Sequence, residues 1–171
     1  MHWLLEGRIE GRIGRIPLLF SEAGYYAHSL TEPTSPGPLP PEFATNRIMA
    51  WQHYWAYGIY EGRAFDNEFL AFHYYAMNPD LQVVFPNDWR GLTLHWLVNG
   101  RQEGRLGRVP LIFSAAEYLL RNPDVGPVWG TEPTTVWLHY YYYGVYELRT
   151  FDDEFRVAEY LGLNPDLSAL F

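Results

Sequence analysis

One motif occurs four times along the 171-residue chain, and it constrains the fold more than any other feature of the sequence. Each copy begins with His and an aromatic residue, and it has Gly five, Glu eight and Arg ten residues after the His. The copies cover residues 2–12, 53–63, 95–105 and 139–149. The histidines are 51, 42 and 44 residues apart. A period of this size indicates supersecondary units that stack on one another.

A second motif alternates with the first. It has Phe, then Tyr five residues later, and it ends in Asn-Pro-Asp followed by Leu or Val, over residues 69–81, 113–125 and 155–167. A related copy over residues 20–30 lacks Asn-Pro-Asp and is followed by a Pro-rich insertion, residues 31–47.

A longer period joins these motifs in pairs. Residues 11–18 recur almost unchanged at 104–111, and residues 65–69 recur at 151–155. This pattern indicates duplication of a two-unit module.

Local signals predict helices rather than strands. Ser114 and Glu117 form a capping-box pattern, and Asp66 and Asp152 stand where they can cap the equivalent helices. Gly100 is suited to a left-handed C-terminal cap, and strand-type alternation is weak. We therefore predict an all-α array of about four helical repeat units with terminal half-units.

The predicted array forms a single repeat domain over residues 1–171. Its parts are an N-terminal half-unit (1–19), three units (20–64, 65–108 and 109–150) and a C-terminal half-unit (151–171). A repeat unit needs a neighbour to bury its apolar face. The half-units can pair within one chain, pair head to tail between chains as a ring or filament, or be covered by other proteins or by nothing. Their interface candidates are His2, Trp3, Leu4, Tyr160, Leu161, Leu167 and Phe171.

Composition excludes several classes of protein. The chain has 12 basic and 20 acidic residues, a net charge of −8, which argues against a nucleic-acid-binding protein. Cysteine is absent, so disulfides, thiolate metal sites and Cys nucleophiles are excluded. Neither a signal peptide nor an apolar run long enough for a transmembrane helix is visible.

The recurring polar residues are predicted to be structural. The histidines are one repeat period apart, so stacking places them in a row and not around a metal ion. We expect them to be hydrogen-bonding residues of the aromatic helix. The Glu-Gly-Arg turns fit an ion pair, or an Arg that caps helix carbonyls, better than an acid–base pair. Asp80, Asp124 and Asp166 supply one carboxylate per unit, too few for calcium. We predict no catalytic residue, metal or cofactor.

Clustered aromatic residues are the candidates for binding. Residues 140–143 are four consecutive tyrosines, which cannot all face inward on one helix. Tyr and Trp suit protein interfaces and sugar contact alike. The interaction candidates are Trp51, Trp55, Tyr57, Tyr60, Tyr142 and Tyr143. The Pro-rich stretch is either an extended arm that lies on a partner or a solvated loop.

The two motifs together resemble a tandem repeat of large bacterial proteins. Such repeats occur beside calcium-binding nonapeptide regions and adhesin-like modules in secreted proteins, and in some glycosyltransferase chains. The resemblance implies an accessory or interaction role and a periplasmic, extracellular or cell-surface location. This chain lacks the Gly-Gly-x-Gly-x-Asp nonapeptide, so the calcium function does not carry over.

We therefore expect a non-enzymatic structural or accessory subunit. Its partners are other protein subunits or further copies of itself, and it can associate with a membrane complex without spanning the membrane. The alternative is a carbohydrate-binding module that uses exposed Tyr and Trp. An enzyme is the least supported class, because the sequence has no nucleophile elbow or phosphate-binding loop.

Overall fold

The computed structural model describes residues 15–32, 35–153 and 155–166. Within these ranges the regular structure is helical and contains no strand, which confirms the predicted all-α class. The chain divides into an N-terminal body, residues 1–107, and a C-terminal body, residues 108–171.

Short helices build the N-terminal body. They are α1 (Glu22–Thr31), α2 (Arg47–His53), α3 (Ala71–Met77), α4 (Pro79–Val84) and α5 (Trp89–His95), with a 3₁₀ turn at Pro41–Ala44. A π-helical turn follows α2 at Tyr54–Gly58 and α5 at Trp96–Gly100.

The C-terminal body has the same kinds of element. They are α6 (Ala115–Arg121), α7 (Gly126–Trp129), α8 (Pro133–His139) and α9 (Val157–Leu163), and a π-helical turn follows α8 at Tyr140–Gly144. In each π turn the first carbonyl accepts from the N–H five residues later, as Tyr140 does from Val145.

Side-chain caps fix where several helices begin. The Ser114 hydroxyl accepts a hydrogen bond from the N–H of Glu117, as the capping box predicts. The prediction that Asp66 and Asp152 cap helices is wrong. Asp66 accepts from the N–H of Phe69, which closes a turn before α3, and α3 itself has no side-chain cap. Asp152 accepts from the N–H of Phe155 in the same way.

Aromatic side chains form the core of each body. In the N-terminal body Tyr54 meets Phe65 edge to face, with ring centroids 5.1 Å apart. In the C-terminal body Tyr140 meets Phe151 with the same geometry at 5.0 Å. Edge-to-face aromatic pairs add stability beyond the area that they bury.

The residue with left-handed backbone conformation in the Glu-Gly-Arg turn is not the glycine that the sequence predicts. Gly100 is not in the left-handed region; the positive φ falls four residues later, at Gly104, with φ 68°. In the last copy this position is Leu148, with φ 56°. A side chain in the left-handed region costs roughly 1–2 kcal/mol, so Leu148 strains its turn.

We expect Leu148→Gly to stabilise the protein. The leucine side chain is 57% exposed, so its removal gives up little burial, while the relief of φ strain is worth about 0.5–1 kcal/mol. Urea unfolding measures the change. The matched variant is Gly104→Ala, where nothing lies near the added methyl group. It should destabilise by about as much, and a loss of stability in Leu148→Gly would contradict the account.

Candidate functional site

One hydrogen bond from a buried tyrosine recurs in three copies of the repeated motif. In each, a tyrosine hydroxyl bonds to Nδ1 of the motif histidine, and the tyrosine is completely buried. The pairs are Tyr25–His53 at 2.8 Å, Tyr74–His95 at 2.8 Å and Tyr118–His139 at 2.9 Å. This geometry confirms that these three histidines are structural hydrogen-bonding residues.

The motif glycine makes room for that hydroxyl. A Cβ atom built on Gly58, Gly100 or Gly144 would overlap the tyrosine oxygen of its own copy. A glycine is therefore required because the tyrosine hydroxyl approaches its Cα closely. Its φ angle is not in the left-handed region, so backbone conformation does not demand a glycine.

We expect Gly100→Ala to destabilise the protein by about 1–3 kcal/mol, because the methyl group displaces the Tyr74 hydroxyl from His95. Urea unfolding measures the loss. Gly162→Ala in α9 is the control, since nothing lies within 4 Å of the added methyl group. Equal stability of the two variants would show that the close packing at Gly100 is unimportant.

The Glu and Arg of the motif form an ion pair across the turn. Arg63 Nε donates to Glu61 and Arg105 Nε donates to Glu103, both at 2.5 Å. Arg149 donates to Glu147 in the same way. This confirms the predicted turn-fixing ion pair.

The same arginines also hold the Asn-Pro-Asp motif. Arg105 binds both carboxylate oxygens of Asp80, at 2.8 and 3.0 Å, and Arg149 binds both oxygens of Asp124, at 2.7 and 2.8 Å. The hydrogen bonds from arginine lower the pKa of Asp80 and Asp124. A carboxylate held in its charged form is poorly suited to act as a general acid at neutral pH.

The asparagine joins its helix to the end of the turn. The side-chain amide of Asn78 donates to the carbonyls of Tyr74 and Leu106, at 2.8 and 3.1 Å. Asn122 donates to Tyr118 and Thr150 at the same distances. Only the structure shows this role, although the sequence carries a signal for it, since the asparagine recurs four residues after the buried tyrosine.

The Pro-rich insertion takes over these contacts in the copy without Asn-Pro-Asp. Arg63 donates to the Ser35 hydroxyl and the Gly37 carbonyl, at 3.0 and 2.8 Å. Ser29 stands in the place of the asparagine and accepts from the N–H of Leu39, which is buried. The part of the insertion that contains these residues folds back on its own body.

Burial lowers the pKa of His53 and His139 below its usual value of 6.5. The unfolded chain therefore binds more protons than the folded protein as the pH falls through about 6.5, and stability falls with the pH. We expect the free energy of unfolding to be lower at about pH 5.5 than at about pH 7.5. Urea unfolding at both pH values and an NMR titration of His139 measure this. An NMR pKa at or above 6.5 would contradict it.

The predicted interaction residues lie in different environments. Trp51 is buried in the core, and Trp55 is half-buried and stacked on it with ring centroids 5.6 Å apart. Tyr57 and Tyr60 are exposed, as are Tyr142 and Tyr143. The guanidinium of Arg90 lies 5.4 Å from the centre of the Trp55 ring and 5.5 Å from that of Tyr60.

Only two of the seven predicted half-unit interface residues lie in the part of the chain that the structure describes. Tyr160 is 44% exposed and Leu161 is half-buried. The remaining candidates, His2, Trp3, Leu4, Leu167 and Phe171, lie outside the described residues.

An apolar groove is present in the C-terminal body. It has a volume of about 500 Å³. Seven of its eight lining residues are apolar or aromatic, and Asp152 provides the charge. The main aromatic lining residues are Phe113, Trp137, Tyr140, Phe151 and Phe155. No sequence signal pointed to a groove here, because its walls look like ordinary core positions.

The described residues do not converge on a metal site. Among them, no three His, Cys, Asp or Glu side chains are grouped so that they could hold a metal ion. Over the same part of the chain, every helix is too short or too polar to cross a membrane. No family model matches the chain, and neither a curated protein nor a solved structure shows significant similarity to it.

Proposed function

We propose that this protein is a non-enzymatic structural or accessory subunit that acts through protein–protein contacts in a larger assembly. The recurring titratable residues support this, because they are engaged in structural contacts. His139 bonds to a buried tyrosine and Arg149 to two carboxylates. In the part of the chain that the structure describes, these groups hold the turns together and leave no obvious set for acid–base chemistry.

The apolar groove is the observation that carries the proposal. It lies beside Phe155 in the C-terminal body, and Ile112 in its wall is 77% exposed. Tyr160, on the helix that follows Phe155, is also partly exposed. Exposed apolar surface of this kind is typical of interaction sites, and aromatic residues are enriched at the centres of protein interfaces.

We further propose that the chain is an array of about four helical units, from duplication of a two-unit module, in a single repeat domain. The recurring Tyr–His, Arg–Asp and Asn contacts support this arrangement. The resemblance to repeats of large bacterial proteins supports an extracytoplasmic location and an accessory role in a larger assembly.

A charge placed in the groove tests the proposed function. We expect Ile112→Arg to abolish retention of partner proteins from native cells by the immobilised full-length chain, because burial of an unpaired charge is costly. Val83→Arg is the control, since Val83 is an equally exposed residue of the N-terminal body. If both variants retain the same proteins as the wild type, the groove is not the contact surface.

The exposed aromatic residues favour a second candidate, a carbohydrate-binding module. Tyr57 and Tyr60 are exposed, and Arg90 beside Tyr60 adds a hydrogen-bond donor for a hydroxyl group. Calorimetry with a panel of polysaccharides tests this candidate. Binding that is lost in Tyr57→Ala and Tyr60→Ala but kept in Ile112→Arg would favour it over the protein-contact proposal.

A further inference from the structure

Tyr160 differs from the other tyrosines of its motif. Tyr25, Tyr74 and Tyr118 are each 0% exposed and bonded to a histidine, whereas Tyr160 is 44% exposed. The phenylalanine five residues earlier differs in the same way, because Phe69 is completely buried and Phe155 is half-buried. The last copy of the motif therefore has an uncovered surface, and the apolar groove borders it at Phe155.

The N-terminal body shows what covers this surface in the corresponding copy. Trp96 stacks on Phe69 with ring centroids 5.5 Å apart and an interplanar angle of 18°. His95 bonds to the hydroxyl of Tyr74. Both residues belong to the His-motif segment, residues 95–107, that follows the tyrosine motif in the chain.

Ion pairs and backbone contacts fix the register of that segment. Arg101 pairs with Glu68 at 2.6 Å. Arg105 holds Asp80 through two hydrogen bonds. The carbonyl of Gly107 accepts from the N–H of Leu70, and a side chain at Gly107 would overlap the backbone of Glu68. The covering segment therefore needs an aromatic residue, two arginines and a glycine at fixed spacing.

The last copy of the tyrosine motif repeats, in sequence, the residues whose side chains the covering segment contacts in the N-terminal body. Residues 151–155 read Phe-Asp-Asp-Glu-Phe where residues 65–69 read Phe-Asp-Asn-Glu-Phe. Tyr160, Asn164 and Asp166 then follow with the spacing of Tyr74, Asn78 and Asp80. The amide of Asn164 donates to the Tyr160 carbonyl at 2.8 Å, which is the first of the two bonds that Asn78 makes.

Residues 2–14 of this chain carry the complementary set. They match residues 95–107 at nine of 13 positions without a gap. The matches include His2 and Trp3 in the places of His95 and Trp96, and Arg8 and Arg12 in the places of Arg101 and Arg105. Gly14 stands in the place of Gly107, where only a glycine fits.

We propose that the uncovered surface of the last tyrosine-motif copy, which borders the groove at Phe155, binds residues 2–14 of a second copy of this chain, head to tail. Trp3 of the second copy stacks on Phe155, and its His2 bonds to Tyr160. Its Arg8 pairs with Glu154, and its Arg12 pairs with Asp166. The inference rests on the proposed function, for which it names the partner and the contact.

Charge and repeat geometry both favour a second copy. The segment carries two arginines, and Glu154 and Asp166 stand at the sequence positions of their partners Glu68 and Asp80, so the charges are complementary. The surface and the segment are different parts of the chain. The contact is therefore heterologous, and it produces a ring if the rotation between copies closes and a filament if it does not.

A charge exchange tests the contact in the full chain. Arg8→Glu and Glu154→Arg each place like charges opposite one another, and we expect each to weaken self-association by about tenfold or more. The double variant restores the opposite-charge pair and should recover association to within about twofold of the wild type. Glu42→Arg, at an exposed residue of the N-terminal body, controls for the change in net charge.

Light-scattering mass over a concentration series is the measurement. The wild-type mass should rise above the 20.0 kDa of one chain, and each single variant should shift that rise to a higher concentration. Circular dichroism of each variant shows that it is folded. Trp3→Ala should also weaken association, because it removes the ring that stacks on Phe155.

Two results would overturn the inference. One is a mass of a single chain at every concentration, which would point to closure within the chain or to a different partner. The other is a double variant that associates no better than the single variants. If the chain remains a monomer while Ile112→Arg still abolishes retention of other proteins, only this inference fails and the proposed function stands. If the chain remains a monomer and Ile112→Arg retains the same proteins as the wild type, both this inference and the proposed function fail.

Discussion

The hydrogen bond between a buried tyrosine and the motif histidine is the contact on which the rest of each unit depends. It joins two helices that are 21 to 28 residues apart in the chain, as Tyr25 and His53 show. The π-helical turn that follows the histidine must approach the hydroxyl closely, so it ends in a glycine, which is Gly58, Gly100 or Gly144. A buried hydroxyl or imidazole without a partner is costly, and this cost explains why the three residues occur together.

The charged turn completes the unit at its surface. One arginine, such as Arg105, binds the glutamate of its own turn and the aspartate of the preceding Asn-Pro-Asp motif. In the copy that lacks this aspartate, Ser35 and Gly37 of the insertion receive the bonds of Arg63 instead. The arginine contact is thus kept while its acceptors change, because a guanidinium with several donors can be satisfied by hydroxyl or carbonyl oxygens as well as by a carboxylate.

A repeated unit buries its aromatic face against the next His-motif segment, and this requirement relates the fold to the proposed function. In the N-terminal body Trp96 covers Phe69, and both are buried. In the C-terminal body Phe155 lines a groove and Tyr160 is exposed. Equivalent residues are therefore buried in one copy and partly exposed in another, according to whether a His-motif segment packs on them.

The sequence by itself determined the helical class, the Glu–Arg ion pairs, the cap at Ser114 and the structural role of His53, His95 and His139. These features depend on residues at short spacing, or on a spacing that recurs. The tertiary structure alone decided that Gly100 is needed for space and not for φ, that Asp66 closes a turn, and that Trp51 lies in the core. It also decided that Phe113 and Phe155 line a groove. Equivalent residues become buried or exposed according to what packs against them, and the sequence pattern does not show which segment packs against which residue.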